Sequence, residues 1–118
     1  MIAHSLDHPG FGIASGLHGA TYVVDAIFSG NELNDMNVLI DIGLAAKILK
    51  EVLEPLHYKN LDELPAFKNK ISTTEYIAYY IHTEVAKRKE LNFKGSLKIE
   101  LGESHIAWAS YENEIDTL

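Results

Sequence analysis

The chain has 118 residues, of which 47% are hydrophobic and 23% charged, with 17 acidic and 10 basic side chains giving a net charge of −7. That length and composition point to one globular domain over residues 1–118, and the acidic balance argues against nucleic acid as a partner. No apolar run is long enough for a bilayer and no charged-then-apolar leader precedes the first motif, so no membrane partner and a cytoplasmic location are expected. Cysteine is absent, which excludes disulfides, thiolate metal ligands and a cysteine nucleophile.

"MIAHSL" (1–6) is a short β-like run, and "SLDHPGFGIASG" (5–16) a Gly-, Pro- and Ser-rich loop. "HGATYVVDAIFSG" (18–30) has the β-branched and aromatic density of a strand. By the period of two, His18, Ala20, Tyr22, Val24, Ala26 and Phe28 share one face. "NELNDMN" is a turn, and "VLID" a short extended entry to a helix.

Asp41 is a fair N-cap for "IGLAAKILKEVLEPL" (42–56), whose apolar stripe is Ala45, Ile48, Leu49, Val52, Leu53 and Leu56. Pro55, which has no backbone N–H, helps end that helix. "HYKNLDELPAFKNKI" (57–71) is a long connection without strong periodicity, a length that tends to be functional. A second helix opens at "STTE", with Ser72 as cap and Glu75 closing a capping box, and buries Ile77, Ala78, Ile81 and Val85. It ends near the basic cluster "KRK" (87–89), which complements the helix dipole. "GSLKIELG" (95–102) and "SHIAWASYE" (104–112) close the chain as strands. The order β-β-α-α-β-β predicts an α+β fold: an antiparallel four-stranded sheet with two helices on one face.

Six histidines carry the candidate chemistry. His4 and His18 lie on strands either side of the Gly-rich loop, where antiparallel pairing brings both imidazoles within reach of one ion. Two imidazoles suit Zn²⁺, although a zinc site normally uses three protein ligands. His8 sits in the loop, where no function is expected unless a metal draws it in, and His82 mid-helix, where it is expected to be structural or solvent-facing. Glu103 and His105 stand at the turn into the last strand. A carboxylate there reads either as a solvated turn residue or as an anchor for a guanidine-like edge, since it accepts two parallel hydrogen bonds. Thr73 and Thr74 at a helix N-terminus read either as caps or as ligand contacts.

The ordered segments "IAHSL", "GLHGATY", "LIDIG", "LHYKNLDEL", "STTEYIA" and "GESHIAWASYE" together resemble the 6-pyruvoyltetrahydropterin synthase and 6-carboxytetrahydropterin synthase family across nearly the whole chain. The resemblance implies the tunnelling fold, whose subunits join edge to edge into an oligomeric barrel. It also implies a homo-oligomer, by analogy a hexamer of two stacked trimers, with a small-molecule pterin as partner and zinc as cofactor. Matched position by position, it makes His4 and His18 metal ligands, and Thr73, Thr74 and Glu103 pterin contacts. Asp41 matches an aspartate the family often has before its first helix.

The departures fall on the catalytic apparatus. The family's third zinc ligand falls on Ala20 and its catalytic cysteine on Ala14. Its Asp-His pair falls on His57 and Tyr58. His57 is then the candidate general base, imidazole being the commonest group for that role. The expected function is a divergent zinc-dependent, lyase-like enzyme acting on a dihydroneopterin-type substrate. The alternative is a non-catalytic pterin-binding protein on the same scaffold.

Overall fold

The computed structural model describes all 118 residues, with strands β1 (Ile2–His4), β2 (His18–Ala20), β3 (Val23–Ser29), β4 (Lys94–Ser104) and β5 (Ala107–Asp116). Two helices, α1 (Ile42–Leu53) and α2 (Thr74–Ala86), stand between β3 and β4. The α+β class is the one expected from the sequence, but three strands and not two precede the helices.

The expected four-stranded sheet is not formed. The strands divide into a two-stranded sheet, β1–β2, and a three-stranded antiparallel sheet in the order β3–β4–β5. The predicted strand 18–30 breaks at Thr21–Tyr22. Its first arm pairs with β1 (Ile2 opposite Ala20, His4 opposite His18), its second with β4 (Val23 opposite Gly102, Ser29 opposite Ser96). The period-two alternation survives the break: His18, Ala20, Tyr22, Val24, Ala26 and Phe28 are all half-buried, and the residues between them are exposed. One face therefore continues from the imidazoles into the core, which is how the broken strand still positions the site.

The core lies between the three-stranded sheet and the helices. Leu97, Ile99 and Leu101 alternate along β4 and are wholly buried against Ile48, Ile77, Ile81 and Val85. Each such side chain contributes roughly 1.5–3 kcal/mol relative to an exposed one. Within α2, His82 is buried too. Its Nε2 donates to Leu97 O at 3.0 Å and lies 3.3 Å from Asn113 O, tying the helix to β4 and β5. Gly95 is required where β4 starts, because a Cβ there would meet Ser29 O at 2.5 Å.

Asp41 caps α1 as expected, its Oδ1 accepting from Leu44 N at 3.0 Å. The helix proper ends at Leu53, and a single 3₁₀ turn (Glu54–Leu56) built on Pro55 carries the chain to His57. The second cap is shifted by one residue from the sequence reading. Thr73, not Ser72, accepts from Tyr76 N at 3.1 Å, so Glu75 stands too early to close a capping box. The long connection is held by two further 3₁₀ turns (Leu61–Glu63, Pro65–Phe67) that bury Leu61 and Phe67. It also runs beside β1: Ala3 N donates to Lys59 O at 2.9 Å and Tyr58 N to Met1 O at 2.8 Å. No helix is long and apolar enough to cross a membrane.

Candidate functional site

His4 closes β1 and His18 opens β2, directly opposite in the antiparallel register, with ring centroids 4.6 Å apart and ring planes at 62°. His18 is half-exposed, and its Nδ1–H donates to Gly16 O at 2.8 Å, a carbonyl that can only accept. That bond assigns the proton to Nδ1 and leaves the Nε2 lone pair available. His4 is buried, and its Nδ1 is paired with Ser72 Oγ at 3.0 Å. Ser72 is available for this because the capping role has passed to Thr73. Burial first, and then the neighbouring His18, push the His4 imidazole below its ordinary value of 6.5, against Ser72 and the charges of Asp62 and Glu103.

Asp62, from the long connection, fixes the chain just after His4. Its Oδ1 accepts from Ser5 N at 3.2 Å and its Oδ2 from Ser5 Oγ at 2.6 Å.

Glu103 occupies a β-bulge. Gly102 pairs with Trp108 and Ser104 with Ala107, so Glu103 is the extra residue on β4. A bulge bends the strand and re-aims the side chain it carries. Here it turns the carboxylate toward the start of α2, where Thr74 Oγ1 donates to Oε1 at 2.6 Å. The phenol of Tyr22, from the break between β2 and β3, donates to the same oxygen at 3.4 Å. Burial is the main reason the Tyr22 phenol lies above its ordinary value of 10.0, with the Glu103 charge adding to it. Oε2 has no protein donor. Thr74, Glu75, Glu103, Ala107, Trp108 and Ala109 line a cleft of about 260 Å³.

The structure thus gathers His4 with His18, and Thr74 with Glu103. Thr73 stands beside Thr74 with its side chain committed to the cap. His57 is elsewhere: it is exposed, meets the Tyr58 ring edge-on at 4.3 Å between centroids, and lines a mostly apolar cleft of about 200 Å³ with Met1, Tyr22 and Leu53. No hydrogen bond or ring contact joins it to either imidazole of the pair. His8 accepts from Gly10 N at 2.9 Å within its loop, and His105 is exposed between β4 and β5. Sequence reasoning missed Tyr22, Ser72 and Asp62 as site residues. Tyr22 was legible, since the period-two face already aligned it with His18; Ser72 and Asp62 carried no such signal.

Imidazole nitrogens of this kind suit zinc. Both imidazoles have their Nδ1 atoms engaged, the arrangement that orients a histidine ligand through its other nitrogen. The set nevertheless falls short: no three His, Asp or Glu side chains stand together as a metal group. Ala20, two residues beyond His18 on the same face and opposite Ile2, offers only a methyl. The residues present fit half of a zinc site and not a whole one, and no chemical step is derived through the metal.

The family model described as 6-pyruvoyl tetrahydropterin synthase matches residues 1–114. Among solved structures, the chain is similar to the 6-pyruvoyl tetrahydropterin synthase of Caenorhabditis elegans, with a TM-score of 0.78 at 21% identity, over 95% of this chain and 88% of that one. No curated protein sequence matches it. With a family model spanning all but its last four residues, the chain belongs to the 6-pyruvoyl tetrahydropterin synthase family.

Proposed function

We propose that this chain is a pterin-processing enzyme that has left its family's usual chemistry, binding a dihydroneopterin-type substrate by the amino-pyrimidine edge on Glu103. The observation that carries the reading is the way Glu103 is held. Thr74 fixes Oε1 through a short bond, Tyr22 adds only a long one, and Oε2 is left to accept from a ligand. Because the Tyr22 bond is long, Oε1 has room for a second donor beside Thr74, so the carboxylate suits two parallel N–H donors, one to each oxygen, the pattern of that edge. Thr73, beside Thr74, is proposed as a packing contact only, its hydroxyl being used by the cap, its N–H by Ile71 O and its carbonyl by Ile77 N.

The catalytic side is altered. Ala14, Ala20 and Tyr58 stand where the family resemblance expects nucleophile, ligand and histidine, and His57 is the proposed acid–base group. Zinc enters this reading only as far as His4 and His18 reach. The same substitutions favour the second reading, a pterin-binding protein without catalysis. Assembly is part of the proposal: β3 and β5 are the two edges of the sheet, and open edges are a pairing liability that a cytoplasmic homo-oligomer, a hexamer of two trimers, would remove.

Calorimetric titration with 7,8-dihydroneopterin tests binding. Saturable binding lost in Glu103→Gln supports the site, and absence of binding to the native protein overturns both readings. Incubation with 7,8-dihydroneopterin triphosphate, followed by mass spectrometry, then separates them. Any converted product that disappears in His57→Ala supports the enzyme; binding without conversion leaves the carrier. A monomer in sedimentation at micromolar concentration overturns the assembly.

A further inference from the structure

The two sheets part at Thr21–Tyr22, where the chain leaves β1 as its partner and takes up β4. A cavity of about 200 Å³ lies at this seam. Its walls include Ile2 from the smaller sheet, Val24 and Leu101 from the larger, and Ile77 and Ile81 from α2. Ile81 and Leu101 are wholly buried whereas His57 is exposed, so the cavity runs from the surface into the core. Its only polar side chains are those of His57 and Tyr22. The Tyr22 phenol is turned to Glu103, but the His57 imidazole has no hydrogen-bond partner in the chain. Only the His57 backbone N–H is bonded, to Leu53 O and Glu54 O. We propose that this cavity is a small-molecule site distinct from the Glu103 cleft. It takes one neutral phenol, with the ring among the apolar walls and the hydroxyl donating to the His57 imidazole.

The physical grounds are size, lining and one convergent polar group. An apolar cavity of about 150 Å³ stays dry and takes a benzene ring, so this one has room for a ring with one small substituent. Pockets for small molecules are mostly apolar, with a few polar groups that fix orientation, and His57 is the group free to do so here. A neutral imidazole offers one acceptor nitrogen, which a phenolic O–H meets and a methyl group does not. A charged occupant is unsuited, because its charge would stand unpaired against Ile81 and Leu101.

The site does not depend on pterin binding, so the test uses phenol and toluene, which differ only in that one substituent. Each is titrated into the native chain and followed by NMR of the methyl groups. Phenol should bind saturably and move the signals of Ile77, Ile81 and Leu101. His57→Leu should weaken phenol by about three- to tenfold, the worth of one hydrogen bond, and leave toluene no weaker. Ile77→Phe fills the cavity and should abolish phenol binding. Should it fail to fold by circular dichroism, Leu56→Phe fills the same cavity from the turn after α1. Shifts confined to Ile42 and Ala46, which line a larger cleft of about 620 Å³ between β3 and α1, would overturn the proposal. So would no saturable binding of phenol, phenol affinity unchanged in His57→Leu, an equal loss for toluene there, or undiminished binding in a folded, filled variant.

Discussion

The hydroxyl of Thr74 donates to Glu103 Oε1 across 2.6 Å, joining the first turn of α2 to the bulge of β4. Two elements distant in sequence therefore fix one carboxylate, and a ligand bound to it should feel both. Glu103→Ala is expected to weaken dihydroneopterin binding by about 1.5–3 kcal/mol, the range for a hydrogen bond to a charged group. Thr74→Val should cost less, about 0.5–1.5 kcal/mol, because it frees the carboxylate without removing it. In the double variant the Thr74 effect should vanish, which a calorimetric double-mutant cycle reads directly.

Ser72 and Thr73 are adjacent hydroxyls with different duties, and denaturation should separate them. Ser72→Ala strands the buried Nδ1 of His4, at a cost of about 1–3 kcal/mol. Thr73→Ala removes the α2 cap, at about 1 kcal/mol. Both should shift the urea midpoint without changing the slope. Only Ser72→Ala should also alter the His4 imidazole signals in an NMR spectrum. Identical spectra for the two variants would contradict the division of labour.

The sequence made the period-two face visible because alternation depends only on local backbone geometry. His4 and His18 were legible for the same reason: two short strands across one loop have few ways to pair. The bulge at Glu103 was not legible, since an extra residue is defined by its partner strand. Reading β4 as ending at Gly102 left Glu103 in a turn, its carboxylate identified but not its support. The single four-stranded sheet failed at Thr21–Tyr22, where nothing local marks a break and the pairing partner changes from β1 to β4. Ser72 was misread because serine is by itself the better cap; the choice of Thr73 was made by a buried histidine 68 residues away from Ser72.

Tyr58 lies in the left-handed region with φ of 57°, held by its N–H to Met1 O and by the edge-on contact of its ring with His57. An L-residue with a bulky side chain is strained there, by roughly 1–2 kcal/mol, whereas asparagine visits that region routinely. Tyr58 is largely exposed, so replacing it sacrifices little burial. Tyr58→Asn should raise stability by about 1 kcal/mol in thermal unfolding. A loss of stability would mean that the ring's contact with His57 outweighs the backbone strain.

The alkaline limb of stability should carry the mark of Tyr22. Burial, reinforced by Glu103, holds its phenol above 10.0 in the folded chain, and Tyr80 is raised likewise, with burial the larger cause. A raised acid keeps its proton longer when folded than when unfolded, so the folded state binds more protons above pH 10.0. Stability from these groups is complete below that pH and is lost as pH rises through their folded values. Tyr22→Phe should flatten the decline measured by denaturant titrations above pH 10, and Tyr22→Phe with Tyr80→Phe should flatten it further. The two effects should add, because the residues share no hydrogen bond. A slope unchanged in Tyr22→Phe would mean that the phenol reaches water, and that Glu103 is positioned by Thr74 alone.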